Sequence, residues 1–549
     1  MVSRSGRLHA LVLMGFLLIY IIPLGFRPLI IPDETRYAEI PREMIATGDW
    51  IVPHLNGLRY FEKPVMGYWL DALAMLAFGE NPFAARFPSA MAAGLAALMV
   101  WLLIRRSAGR PNSGGMAALI FMTTFEVAGI GVFNVLDSML AMFITMAMAA
   151  FYWASQAPPG TRKEKGLLAL FGMFCGMAFL TKGFLAFAVP VVTIVPYMLW
   201  SGRWKDLFRM AAIPIAAALL VSLPWALAIH AKEPDFWNYF FWEEHVRRFL
   251  AEDAQHQAPF WTYVLVFPVA ALPWSPMLPA ALVGLDRSQR RSTLFRYALC
   301  WFVFPLLFFS AARGKLITYI LPCFPPFAIL LTLGLVSYFE KPHRKLFQAG
   351  AMLLAGLFTV LLVGLVVVQA TDIGGLAPNK TWWKTLWLAA ILLVPVGALI
   401  TSLVKKQLRD KVLLIGIGTA FFLAAAQLGL PDKLIDHKSP GALLRRNAAR
   451  VQPDTQLVAL SHIVKAACWY YRRNNIFVTQ SGEMAYGLSY PEARRRVLDL
   501  KQLRALMDAH KGQVVLVGTY EKYQLWKVHL PPPIYEDHTG PGGFVFAQY

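Results

Sequence analysis

Ile31-Pro32-Asp33-Glu34-Thr35-Arg36-Tyr37-Ala38-Glu39-Ile40-Pro41-Arg42-Glu43-Met44 follows directly on an apolar run that begins near Ala10. Further on the chain reads Arg59-Tyr60-Phe61-Glu62-Lys63-Pro64 and at once turns apolar again. An Asp-Glu pair and several cations therefore stand at the mouth of a membrane bundle. Charges at that depth are expensive to place and mark substrate or ion sites. No small-residue cleavage site follows the apolar run, so it reads as a retained first helix.

The rest of the chain agrees. Hydrophobic residues make up 57% of 549 positions and charged residues 15%, with a mean hydropathy of +0.50. This is the composition of a polytopic membrane protein. Segments long enough to span fall near 8–31, 84–104, 115–132, 138–155, 166–181, 184–200, 210–230, 261–284, 296–311, 316–338, 347–369, 382–404 and 411–430. They predict about thirteen transmembrane helices. The stretch 65–79 is short and aromatic, and reads as a helix lying along the interface.

The net charge of +20 does not point to nucleic acid, because the cations sit in runs between apolar spans. Such runs are Arg4/Arg7, Arg105/Arg106/Arg110, Arg162/Lys163/Lys165, Arg203/Lys205/Arg209, Arg287/Arg290/Arg291, Lys341/Arg344/Lys345 and Lys405/Lys406/Arg409/Lys411. They recur at every second loop, the positive-inside pattern. The N-terminus is then cytoplasmic and, with an odd span count, the C-terminus lies outside. From about Pro431 the composition changes, so residues 1–430 read as the membrane part, with 32–83 its first external loop. Residues 431–549 read as a small soluble α/β domain, with strands at 456–460, 476–480, 513–518 and 543–548 and helices at 463–473 and 498–510. The cysteines (Cys175, Cys300, Cys323, Cys468) carry neither disulfide nor metal spacing.

Cations on the outer side break the topological rule and are the more informative. Arg36, Arg42, Arg59 and Lys63 lie in the first outer loop, Lys182 between two apolar spans, Arg247 and Arg248 after an aromatic stretch, and Arg313 and Lys315 around Gly314. Four loops thus offer anion binding at the membrane surface. The plainer reading is snorkelling or nonspecific headgroup contact. Asp33 and Asp137 are candidate site carboxylates. Asp33 and Glu34 would equally cap a helix beginning near Thr35, and Asp137 would cap the span it opens. Glu62 and His245 are of the types that hold zinc, yet two ligands do not define a site, and a lone histidine is more often simply hydrogen-bonded. No nucleotide-binding loop or serine-nucleophile elbow is present. An enzyme here would use a membrane-delivered donor.

Gly48–Leu55, Gly57–Pro64, Thr181–Ala186, Arg203–Phe208, Phe240–His245 and Gly314–Leu321 join the Asp33–Met44 segment in a chain-long likeness. The sequence resembles bacterial 4-amino-4-deoxy-L-arabinose transferases that modify lipid A, within the protein O-mannosyltransferase-like GT-C superfamily. Thr479–Leu488 resembles the same subfamily rather than the superfamily at large. The resemblance implies a helical GT-C bundle with outer juxtamembrane helices and a periplasmic α/β domain. It implies transfer of aminoarabinose from undecaprenyl phosphate to a lipid A phosphate at the periplasmic face of the inner membrane, giving resistance to polymyxin and other cationic peptides.

For the site, the resemblance implies Asp33 and Asp137 as catalytic residues. Lys63, Arg248, Arg36, Arg59, Lys182, Arg313, Lys315 and Tyr319 would bind phosphate, and Glu34, Tyr37, Tyr60, Glu483 and Tyr486 would line the acceptor side. No cofactor is required, with a divalent ion such as zinc at Glu62 and His245 the exception left open. The expected state is a monomer. Two other readings stand beside this one: a transferase of the same fold with another polyprenyl-linked sugar or acceptor, and a lipid-linked sugar transporter. The lack of inverted-repeat symmetry speaks against the transporter.

Overall fold

The computed structural model describes residues 4–107, 112–247, 257–341 and 345–549. Its contacts divide the chain into two units. The first holds residues 1–24, 86–367 and 386–428, and the second residues 25–85, 368–385 and 429–549.

The first unit is a helical bundle. Long apolar helices include Leu136–Gln156, Arg162–Lys182 and Lys345–Thr371. Helix Arg162–Lys182 packs along Leu136–Gln156 on one side and Ala212–Lys232 on the other. Close approach to the latter depends on Gly172 and Gly176, four residues apart on one face. A Cβ on Gly172 would lie 2.1 Å from the Pro214 carbonyl oxygen, and one on Gly176 would lie 2.8 Å from that of Ala218. Small residues at this spacing are how membrane helices pack tightly without a hydrophobic driving force.

Among the described residues nine helices are long and apolar enough to cross a membrane, or up to eleven if two bent pairs are each one span. The pairs are Ser113–Met122 with Phe125–Gly131, bent by 65°, and Thr262–Ala270 with Ser275–Gly284, bent by 99°. The expectation of thirteen differs by two segments. Leu185–Trp200 has only 16 residues and contains Pro190 and Pro196. Leu408–Ala426 is a helix too, but it opens on Arg409, Asp410 and Lys411, which lower its hydropathy.

In the second unit, helix Asp33–Thr47 starts two residues earlier than expected. Pro32 is its N-cap and makes no side-chain cap bond, so neither Asp33 nor Glu34 is the cap. Gly48, at φ +72°, ends the helix in the left-handed conformation that glycine supplies at least cost. Strands β1 (His54–Leu55) and β2 (Leu58–Arg59) form a hairpin over Asn56-Gly57. Both turn residues have positive φ, 58° and 69°, as a tight hairpin turn of this sequence requires. Met66–Phe78 is a 13-residue helix.

Residues beyond 429 build a five-stranded sheet from β3 (Gln456–Ala459), β4 (Phe477–Val478), β5 (Val514–Thr519), β6 (Tyr535–His538) and β7 (Phe544–Gln548), ordered β4-β3-β5-β7-β6. The β3 strand pairs parallel with β4 and β5, while β7 pairs antiparallel with β5 and β6. Val514 through Gly518 of β5 are all buried, so both faces of that central strand are covered, as its unbroken apolar sequence demands. Val458, Leu516 and Val545 meet Leu503 and Met507 of helix Leu500–Ala509 in its core. The strand β6 was not foreseen. Its sequence, Tyr-Glu-Asp-His, is that of an edge strand kept polar against further pairing.

Candidate functional site

Helix Asp33–Thr47 projects a linked set of charges in the second unit. Arg36 donates through Nη2 to Asp33 Oδ1 at 2.5 Å, and through Nη1 to Glu483 Oε2 at 2.8 Å. The first contact joins side chains three apart on one helix face; the second reaches across 447 residues of sequence. Tyr37 and Tyr60 hydroxyls lie 3.4 Å from the same guanidinium, whose carbon also stands 4.6 Å from the Tyr37 ring centroid. Tyr37 in turn stacks on Tyr68. Lys465, which the sequence reading did not single out, donates to Glu483 as well.

Burial alone would raise the pKa of Glu483, but Arg36 and Lys465 outweigh it and hold the carboxyl at about 2. Burial, and then the charge of Arg36, push the Lys465 ammonium below its ordinary value. Burial holds the Tyr60 phenol well above its ordinary value, so it stays neutral at physiological pH. Asp33 and Glu483 are the accessible members of the set, with 42% and 35% of their side chains exposed.

Other charges of the same helix face inward and are structural. Glu34 is fully buried and binds Arg27 through both oxygens, at 2.5 and 2.9 Å, while also accepting from the Ile30 amide. That leaves it no approach to an acceptor. Arg42, one of the expected outer-loop cations, is buried against Glu39 in a two-point pair. Glu43 accepts from the backbone amides of Asn56 and Gly57 and so ties the hairpin tip to the helix.

Glu39, Glu43 and Cys468 place ligand-type atoms within 4.8 Å of one another. The carboxylate oxygens are already engaged, however. Burial drives Glu39 well above the usual carboxylate range and raises Glu43 too, as expected of two carboxyls that share a proton. This is a buried brace rather than a metal centre.

The remaining second-unit candidates sit around the hairpin. Arg59 pairs with Glu492 at 2.5 Å and lies 4.2 Å from the Tyr490 ring centroid. Tyr486 packs on Phe61 and edge-on to Tyr490. Lys63 donates to the Glu62 carbonyl at 2.7 Å, and both residues are half-buried.

A second cluster lies within the first unit. Lys182 ends its helix and donates to Asp137 Oδ1 at 2.6 Å; their side chains are 11% and 14% exposed. The ammonium also stands 4.9 Å from the Tyr319 ring centroid. Asp137, Lys182, Thr318 and Tyr319 line a narrow crevice with Leu140 and Phe309. Asp137 is in the first turn of Leu136–Gln156 but makes no cap bond; its carboxylate serves Lys182 instead. Lys315 is buried and donates to the carbonyls of Ala258 and Ala312, so it braces two loops. Arg313 is exposed beside it. Arg248 lies outside the described residues, and so does the side chain of His245, the expected partner of Glu62 at a metal. Thus the structure brings Asp33, Arg36, Tyr37, Tyr60 and Glu483 together, and separately Asp137, Lys182 and Tyr319.

Comparison with known proteins places the chain in a family. Residues 7–240 match dolichyl-phosphate-mannose-protein mannosyltransferase, and residues 435–546 match the arabinosyl transferase ArnT C-terminal domain. The chain is 41% identical over 512 residues to the undecaprenyl phosphate-α-4-amino-4-deoxy-L-arabinose arabinosyl transferase of Aeromonas salmonicida (strain A449), covering 92% of this chain and 93% of that protein. The chain belongs to the undecaprenyl phosphate-aminoarabinose arabinosyl transferase family.

A second member of the family, from Shewanella sediminis (strain HAW-EB3), is 39% identical over 513 residues and 93% of each chain. The crystal structure of ArnT from Cupriavidus metallidurans bound to undecaprenyl phosphate superposes with a TM-score of 0.84 at 22% identity, covering 100% of this chain and 98% of that one. That likeness establishes the arabinosyl transferase fold, a GT-C bundle, for the chain.

Proposed function

We propose that the chain is a glycosyltransferase that moves 4-amino-4-deoxy-L-arabinose from undecaprenyl phosphate to a phosphate of lipid A. The reaction would take place at the periplasmic face of the bacterial inner membrane. The observation that carries this reading is 41% identity to an arabinosyl transferase of that donor over 92% of the chain. Two clusters that pair an acidic residue with fixed cations, one in each unit, support it chemically.

Donor and acceptor are both anions. Two unit charges about 4 Å apart repel by roughly 4 kcal/mol at an effective dielectric near 20. Lys63 and Arg248 are the proposed binders of the donor phosphate, with Arg313 a further candidate. Arg's planar fork suits a phosphate, and the Lys stem can lie in lipid while its head reaches the headgroup. The leaving polyprenyl phosphate needs no general acid at neutral pH, and a phosphate acceptor is already ionised. Rate enhancement then comes from positioning and electrostatics rather than from proton transfer.

Asp33, held by Arg36 and partly exposed, orients the acceptor or stabilises positive charge developing on the sugar. Tyr37, Tyr60 and Glu483 fix Arg36, and Tyr486 lines the acceptor side. Asp137 is held in a close pair with Lys182, whose ammonium stands over Tyr319. Such chemistry asks for no metal; Glu62 and His245 are of the types that hold zinc, but two ligands do not define a site.

In the same reading thirteen crossings carry residues 1–430. Residues 32–83 form an outer loop, residues 431–549 form a periplasmic domain, and the protein acts as a monomer. Expression in a donor-producing host tests the function: lipid A should gain a pentose-amine mass increment that disappears with Asp33→Asn. An increment of a different sugar, or none with the protein correctly inserted, would overturn it.

A further inference from the structure

Lys465 lies on helix Val464–Tyr471 in the run Ile463-Val464-Lys465-Ala466-Ala467-Cys468, and only 2% of it is exposed. A buried lysine must be paired. Its partner is Glu483 Oε2, the same oxygen that accepts from Arg36 Nη1 at 2.8 Å. Lys465, Glu483, Arg36 and Asp33 thus form a chain of alternating charge. It runs from a buried ammonium, 3% exposed at the side chain, to a carboxylate that is 42% exposed.

Arg36 presents two arms, one to Glu483 and one to Asp33. A guanidinium left alone with a carboxylate prefers to take both of its oxygens side by side, and that grip would turn the second arm of Arg36 away from Asp33. Lys465 takes the same Oε2 that accepts from Arg36 Nη1, so the carboxylate's charge is shared between two cations and its pull on the second arm of Arg36 is weakened. We propose that Lys465 is a positioning residue of the transferase: by sharing Glu483 it fixes Arg36 so that Asp33 is presented in one orientation. The inference rests on the transfer reaction proposed above, and adds that the C-terminal segment sets the geometry of the Asp33 carboxylate.

Around this chain stand Tyr37 and Tyr60 on Arg36, Glu62 near Lys465, and His462 one turn before it. Glu483 is the group whose ionisation should respond. Arg36 and Lys465 together keep it charged far into acid, so deleting one cation moves its protonation up toward the ordinary carboxylate range of roughly 4–5.

The test uses the full-length protein in detergent with a polyprenyl-phosphate aminoarabinose donor and lipid A. In Lys465→Met, kcat should fall about ten- to a hundredfold, the effect of losing one charge-assisted contact, with donor KM nearly unchanged. The acid limb of its rate profile should move to higher pH. Lys465→Arg should restore both. Lys465→His, cationic on the acid side and neutral on the alkaline side, repeats the comparison within one folded protein, and its rate should drop as the ring loses its proton. Wild-type kcat and acid limb in Lys465→Met, or a pH-independent rate in Lys465→His, would overturn the assignment. Wild-type protein that fails to transfer would instead overturn the function itself.

Discussion

Replacing Lys182 by methionine keeps most of the side-chain length and removes its charge. The ammonium lies 2.6 Å from Asp137 Oδ1, and neither side chain is more than 14% exposed. At that distance the attraction is roughly 6 kcal/mol for an effective dielectric near 20. Part of it only offsets desolvation, and breaking one side of a buried pair has a net effect of about 3–5 kcal/mol. If transfer needs Asp137 held in this pair, turnover should fall between about a hundredfold and several thousandfold. The assay is initial-rate transfer with purified protein, alongside thermal unfolding in the same detergent. Lys182→Arg should stay within about tenfold of wild type, because charge and reach persist. The double variant Lys182→Met/Asp137→Asn should recover thermal stability but not activity, since no unpaired charge is left behind. Wild-type turnover in Lys182→Met, or a double variant no more stable than the single one, would refute the pairing as a functional element.

Three further outcomes are expected. Lys63→Ala and Arg248→Ala should each lower turnover about ten- to a hundredfold and raise donor KM while the protein stays monodisperse; wild-type kinetics in both would move the phosphate site elsewhere. Arg27→Met should destabilise the protein by about 3–5 kcal/mol in thermal or denaturant unfolding, because it strands the fully buried Glu34; an unchanged midpoint would show that Glu34 is neutral there. Glu483 titrates at about 2, below its ordinary value, so its stabilising contribution is whole above the ordinary carboxylate range and fades as pH falls toward 2. Near-ultraviolet dichroism of the surrounding tyrosines should therefore hold at pH 4, and a transition centred between pH 4 and 5 would contradict the Arg36–Glu483–Lys465 pairing.

The parts legible in the sequence are those fixed by local pattern. Apolar length marks most of the membrane-length helices, and the Asp33–Met44 segment announces a charged helix. What stayed hidden is pairing at long range. Nothing near Asp137 says that Lys182, 45 residues on, will neutralise it, and nothing near Arg36 points to Glu483. Helical phase also escaped the reading: Glu34, Glu39, Arg42 and Glu43 share a short charged stretch with Asp33 and Arg36, yet they turn inward and are consumed by Arg27, by one another and by the hairpin.

Two signals were available but unused. A lone lysine in the apolar run around Lys465 can be buried only with a partner, and Asn56-Gly57 between short β-forming pairs is a hairpin signature. The Asn474 backbone explains why only Gly57 fits there: a Cβ would lie 2.5 Å from the Asn474 carbonyl oxygen.

The central claim is that this chain moves aminoarabinose from a polyprenyl phosphate onto lipid A. Its most direct test is mass spectrometry of lipid A after incubation with purified protein and a defined polyprenyl-phosphate aminoarabinose donor. The account predicts a pentose-amine adduct on a lipid A phosphate, formed in proportion to free polyprenyl phosphate released and abolished in Asp33→Asn. Unmodified lipid A with intact donor, from protein that is folded and monodisperse, would contradict it.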